Sequence, residues 1–130
     1  MFDIEVCSVL GLKMVKGIRD IHEKGLVHRD IKPINFCIEH GCVDPTNAGI
    51  FIIDFGLSRL YRDSNGDHIG FKDGKKGAGT AKYWSIHTHE GIEQTRRDDL
   101  VGIAYTIIMF ARKGHLPWSG IKGLTKAEKY

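Results

Sequence analysis

The chain has 130 residues, 42% of them hydrophobic and 27% charged, with a formal net charge of +3 at pH 7. Such values describe one ordinary globular domain with a core of its own. The mild positive balance suits an acidic partner, but no dense Lys/Arg stripe interleaved with aromatics marks a nucleic-acid surface. The longest apolar stretch, residues 100–111, is too short to span a bilayer. Met1-Phe2-Asp3-Ile4-Glu5 has neither the basic region nor the cleavage pattern of a signal peptide. Cys7, Cys37 and Cys42 are too few for a disulfide framework, so reduced thiols in the cytoplasm or nucleus are expected. Cys37, His40 and Cys42, with His87 and His89 further on, lack the paired C-x-x-C spacing that zinc favours.

Taken in chain order, Ile4, Val6, Val9, Leu10, Leu12, Met14, Val15, Ile18 and Ile21 recur at helical spacing. Lys13, Lys16, Arg19, Asp20 and Glu23 fall on the other side, and Gly25 predicts the C-terminus. The helix therefore delivers the chain into Leu26-Val27-His28. Two β-type runs follow, over residues 35–39 and 49–54, separated by the turn formers Gly41, Asp44, Pro45, Thr46 and Asn47. They predict a small hairpin. Residues 57–82 read as a long polar loop with Gly66, Gly70, Gly74, Gly77 and Gly79, and loops of that length are usually functional. A second helix is predicted over residues 96–111, with Asp98 and Asp99 at its dipole-favoured start. Being apolar on nearly all sides afterwards, it is expected at the buried centre. Gly114 and Pro117 end it, and a final helix is expected to begin near Leu124. The fold class is α+β, with no internal repeat.

The chemistry concentrates in His28-Arg29-Asp30-Ile31-Lys32-Pro33-Ile34-Asn35 and in Asp54-Phe55-Gly56. Phosphoryl transfer needs positioned charge more than covalent chemistry. A carboxylate must orient the attacking hydroxyl, a cation must meet the transferring group, and oxygen ligands must hold Mg²⁺. Asp30 is the candidate base, Lys32 the candidate γ-phosphate contact, and Asn35 and Asp54 the candidate metal ligands. Alone, His-Arg-Asp is usually a solvated turn and Asp-Phe-Gly a strand end. Their joint order and offsets, with a helix before and a hairpin between, make coincidence a poor explanation.

On these residues the chain resembles the protein kinase superfamily, and more narrowly the casein kinase 1 group. The narrowing rests on residues 79–89, Gly-Thr-Ala-Lys-Tyr-Trp-Ser-Ile-His-Thr-His, then on Gly91-Ile92-Glu93-Gln94 and Arg96-Arg97-Asp98-Asp99-Leu100. Most kinases carry Ala-Pro-Glu where Ser85-Ile86-His87 stands, whereas the casein kinase 1 group carries Ser-Ile-Asn. Leu116-Pro117-Trp118 and residues 126–130 continue the likeness. The longer loop at residues 40–49 is similar to the tau-tubulin kinase branch, while Gly91-Ile92-Glu93-Gln94 is closer to the main group.

The resemblance implies a kinase-like fold, mainly its α-helical larger lobe with a small hairpin. It implies ATP and Mg²⁺ as cofactors, with Lys32, Asn35, Cys37, Ile53 and Asp54 facing the nucleotide. Thr80 would sit near Asp30 and Lys32, as in Ser/Thr kinases. His28 and Asp99 would be structural supports, Asp99 bracing the catalytic-loop backbone as well as capping its helix. Substrates would carry acidic or phosphorylated residues before the target hydroxyl, read by an anion pocket matching Lys75, Lys82, Gly120 and Lys129. Arg is usual at the position of Lys82, so the charge stays but bidentate geometry is lost; without the resemblance these lysines read as solvated surface. Trp84 replaces a small residue and either narrows the peptide groove or packs on the second helix. The Gly-rich phosphate cover, the strand lysine and its helix glutamate are expected outside these residues, so the chain reads as a truncated kinase domain without the smaller lobe. It is expected to be a monomer that binds neither nucleic acid nor membrane. The alternative is a truncated, non-catalytic binding module or an inactive gene fragment.

Overall fold

The computed structural model describes residues 3–44 and 46–120. Helix α1 (Ile4–Glu23) starts at Asp3, whose side chain accepts the Glu5 N–H. Gly25 stops it with a left-handed φ of 81°, donating its N–H to the His22 carbonyl at 2.9 Å. The buried stripe of α1 is Cys7, Leu10, Gly11, Met14, Ile18 and His22, the i, i+3, i+4 pattern of one helix face.

Three short strands follow, β1 (Leu26–Val27), β2 (Phe36–Ile38) and β3 (Ile50–Ile52), and a fourth, β4 (Arg59–Leu60), comes after Asp54-Phe55-Gly56. Strands β2 and β3 form the expected hairpin, antiparallel, with Phe36 opposite Ile52 and Ile38 opposite Ile50. Lys13 ties the hairpin loop to α1 by donating to the carbonyls of Thr46 at 2.7 Å and Ala48 at 2.6 Å.

Residues 57–82 are more ordered than the polar composition predicts. Strand β4 pairs antiparallel with β1, Leu26 opposite Leu60, and Tyr61 beyond it is buried with its hydroxyl donating to the His22 carbonyl at 2.7 Å. The one-turn helix α2 (Ile86–His89) was not expected either. Ser85 caps it, its Oγ accepting the Thr88 N–H at 3.1 Å.

Helix α3 (Arg96–Ala111) has the predicted bounds. Asp98 reaches back to accept the Thr95 N–H at 2.7 Å, so the helix start is held by its own first turn. Its burial differs from the expectation. One face, with Asp98, Asp99, Gly102, Ile103 and Thr106, is buried, whereas Leu100 and Ile108 are 44% and 39% exposed. An all-round apolar pattern does not say which side packs; here Gly102 and Asp99 decide it. A Cβ on Gly102 would lie 2.8 Å from the Ile31 Cβ, so only glycine lets α3 approach the segment after Asp30 this closely.

The core is Met14, Ile18, Ile31 and Ile103, with Phe36, Ile50, Ile52 and Ile107 packed against it. Helices α1 and α3, the hairpin and the residue after Asp30 thus share one packed unit. Among the described residues no helix is long and apolar enough to cross a membrane. The final helix expected near Leu124, and residues 126–130 with Lys129, lie outside the described residues.

Candidate active site

The loop between β1 and β2 is held from beneath by one buried carboxylate. Asp99 of α3 accepts the His28 N–H at 2.8 Å on Oδ2 and the Arg29 N–H at 2.9 Å on Oδ1. His22 of α1 adds Nε2 to Oδ2 at 2.8 Å. Two backbone donors and an imidazole on one buried anion are charge-assisted contacts, among the stronger hydrogen bonds a protein makes. They also hold Arg29 in the left-handed region, φ 72°, which a non-glycine residue adopts only where its surroundings enforce it.

His28 then ties the loop to the end of the hairpin. The Asp30 N–H donates to its Nδ1 at 3.3 Å, so the proton belongs on Nε2, which lies 3.0 Å from the Ile53 carbonyl. The Ile53 N–H in turn donates to the Asn35 carbonyl at 3.0 Å. The residue before Asp54 is therefore fastened to both His28 and Asn35. Phe55 sets its ring edgewise to His28, with centroids 5.2 Å apart.

Asp30 is 6% exposed and fully engaged. Oδ1 accepts the Thr80 N–H at 2.9 Å and the Thr80 hydroxyl at 3.0 Å; Oδ2 accepts Lys32 Nζ at 2.6 Å. Lys32 also reaches Thr80 Oγ1 at 3.3 Å, which closes a triangle of acid, amine and hydroxyl. Burial alone would raise the Asp30 carboxyl; hydrogen bonds from Lys32 and Thr80 and the Lys32 charge outweigh it and hold it below the usual value. The group is an anion at neutral pH. Asn35 spends its amide N–H₂ on the Asp30 carbonyl, at 2.8 Å, which leaves Oδ1 as its coordinating atom.

Asp54 is exposed, with a left-handed φ of 66° and a long contact from the Gly56 N–H at 3.4 Å. A carboxylate oxygen and an amide oxygen are hard ligands suited to Mg²⁺. Among the described residues no group of three or more His, Cys, Asp or Glu could hold a metal by itself, so an ion here would draw its remaining ligands from phosphate and water. Cys37 and Ile53 are exposed at the hairpin, Cys37 opposite Phe51.

Of the residues of the implied anion pocket, Lys75, Lys82 and Gly120 are among the described residues. The Lys82 ammonium faces Met109 Sδ at 3.9 Å and the Tyr83 ring at 5.6 Å. Its carbonyl accepts the Trp118 indole N–H at 3.0 Å, which brings the turn containing Gly120 towards it. Lys75 is exposed and bound through its backbone N–H to the Gly91 carbonyl at 2.8 Å. No hydrogen bond among the described residues joins it to Lys82. The Trp84 indole donates to the Ala78 carbonyl at 2.7 Å, and its ring lies tilted at 55° to His89 with centroids 5.1 Å apart.

Sequence reasoning missed several supports. His22 gave no signal, since a histidine on an amphipathic helix is usually a core or surface residue. The pair of buried Glu93 with exposed Arg59, at 3.0 Å, and the bond from Ser85 to Asp98 were equally silent.

A family comparison gives the class that fold and site share. The protein kinase domain matches residues 1–129, and the chain belongs to that family. Kinase domains are ATP-binding transferases, and the loop, the Asp-Phe-Gly turn and the helix beneath them are the parts this chain contributes.

Proposed function

We propose that these residues are the catalytic part of the larger lobe of a serine/threonine protein kinase of casein kinase 1 type. The reaction is transfer of the γ-phosphoryl of MgATP to Ser/Thr hydroxyls on proteins bearing acidic or phosphorylated residues nearby. The observation that carries it is the triangle of Asp30, Lys32 and Thr80. It places a carboxylate, an ammonium and a hydroxyl donor within one another's hydrogen-bond reach, on a loop pinned by Asp99.

Asp30 orients the acceptor hydroxyl. A carboxylate held below its usual range is a weak base, so its part is alignment, with the proton accepted late, which suits a loose transition state. Lys32 supplies positive charge beside that carboxylate, where the transferring group would gather negative charge. Asn35 Oδ1 and Asp54 would hold the metal ions. Bound Mg²⁺ would offset charge on the bridging phosphate oxygens. Lys82 favours anionic substrate segments as a point charge rather than a bidentate clamp. Protein substrates in the cytoplasm or nucleus fit this reading, as does action as a monomer.

The test of the finer assignment compares two peptides on the natural full-length polypeptide, identical except for a phosphoserine preceding the target Ser. The primed peptide should show the higher kcat/KM, and Lys82→Ala should reduce that advantage by about threefold to tenfold, the worth of one partly exposed charge contact. Equal rates on both peptides would remove the casein kinase 1 assignment while leaving the kinase family membership in place.

A further inference from the structure

We propose that Gln94 is a positioning residue of the transfer reaction, the pin that holds the segment carrying Thr80 against the catalytic loop. This rests on the kinase reading above, and its test includes a readout that needs no turnover.

Gln94 is 8% exposed and stands just before the start of α3. Its Oε1 accepts the Ala78 N–H at 3.0 Å, and its Nε2 lies 3.4 Å from the Arg29 carbonyl. A backbone N–H can only donate and a carbonyl can only accept, so a single amide orientation serves both contacts. The two backbones it bridges are also close one residue further on. A Cβ on Gly79, where φ is +83°, would lie 2.5 Å from the Arg29 carbonyl and 2.8 Å from Asp30 Oδ1. The next residue, Thr80, then meets Asp30 with both its N–H and its hydroxyl.

Arg29 is thus gripped at both ends of its backbone. Asp99 takes its N–H and Gln94 meets its carbonyl, and both grips come from the beginning of α3 or the residue before its cap. Glu93, the preceding residue, is anchored to Arg59 at 3.0 Å, so Gln94 does not swing on a loose stem. Neither near-isostere reproduces the bridge: methionine supplies no donor, and an ionised glutamate cannot donate to the Arg29 carbonyl. Loss of the pin should loosen the Thr80–Asp30 alignment, which faces the acceptor hydroxyl. Asp54 follows Ile53, which is tied to His28 and Asn35, and the Asn35 amide holds the Asp30 backbone carbonyl rather than the segment carrying Thr80, so both should be spared.

The experiment uses Gln94→Met and Gln94→Glu in the natural full-length polypeptide, with dephosphorylated casein as the acceptor probe. Gln94→Met should lower kcat by about tenfold to a hundredfold, the usual result of misplacing an aligned group. Its KM for MgATP should change less than kcat, because Asn35 and Asp54 are held by other segments and only Lys32 meets Thr80. Gln94→Glu gives a signature that simple loss of packing would not. Its protonated carboxyl can both donate to Arg29 and accept from Ala78, so its activity relative to the native protein should rise on acidification towards about pH 5.5.

Amide hydrogen exchange gives the second readout. In Gln94→Met the segment 77–80 should exchange faster, while the amides of His28 and Arg29, held by Asp99, keep their protection. A native polypeptide inactive on every probe would count against the kinase reading alone, and exchange would then decide the pin by itself. Unchanged exchange at residues 77–80, or an unchanged kcat in an active enzyme, overturns the proposal. Should Gln94→Met fail to fold, the isosteric Gln94→Glu carries the same two measurements.

Discussion

At the scale of single residues, the site depends on two buried carboxylates, Asp30 and Asp99, whose oxygens all accept hydrogen bonds. Asp99 is 2% exposed and receives donors from His22, His28 and Arg29. Asp99→Asn would turn one acceptor oxygen into an amide that meets those donors head on. Unfolding in urea should show a loss of about 1.5–3 kcal/mol, the range for hydrogen bonds to a charged group. An unchanged midpoint would mean that the loop stands without this brace. Asp30, Lys32 and Asn35 were legible because their chemistry is written within one short stretch of sequence. His22 was not, since its partner lies 77 residues away and nothing local announces the pairing. The same holds for Gln94, whose two partners are backbone atoms on other segments.

Among the elements, the long helices were readable and the short pieces were not. The α3 bounds follow from an acidic start, a sustained apolar run and a glycine beyond it. The two-residue strands β1 and β4 carry no period to detect, and their pairing is fixed by Tyr61 reaching the carbonyl of His22. Helix α2 hides for the same reason, being a single turn defined by Ser85. Its last residue, His89, packs against Trp84, and burial lowers its pKa below the ordinary 6.5, against an opposing hydrogen bond with the Ala81 backbone. The neutral ring is therefore favoured in the fold. The stability this contributes is complete above the unfolded pKa and is lost as pH falls through 6.5 towards the lower folded value. The thermal midpoint should drop between about pH 7.5 and about pH 5.5, and His89→Gln should show a smaller drop over that interval. Equal drops in the two proteins would show that His89 carries none of this dependence.

For the molecule as a whole, one core serves both folding and chemistry. Ile31, the residue after Asp30, packs in the same cluster as Met14, Ile18 and Ile103, and Ile53, the residue before Asp54, is bonded to Asn35 and His28. The two acids are thus held by α1, the hairpin and α3 together, before any nucleotide arrives. That arrangement explains why composition and periodicity revealed the scaffold while the motifs revealed the site. What escaped was the buried polar wiring between them, because a hydrogen bond across the fold leaves no pattern in sequence.

The most direct measurement is phosphoryl transfer from MgATP to casein by the natural full-length polypeptide and by its Asp30→Asn variant, with nucleotide affinity and thermal midpoint recorded alongside. If Asp30 aligns the acceptor, the rate should fall by about 10²–10⁴-fold with nucleotide affinity little changed and a cooperative thermal transition retained at a lower midpoint. A variant that transfers phosphate at the native rate would contradict the assignment of this loop as the catalytic centre.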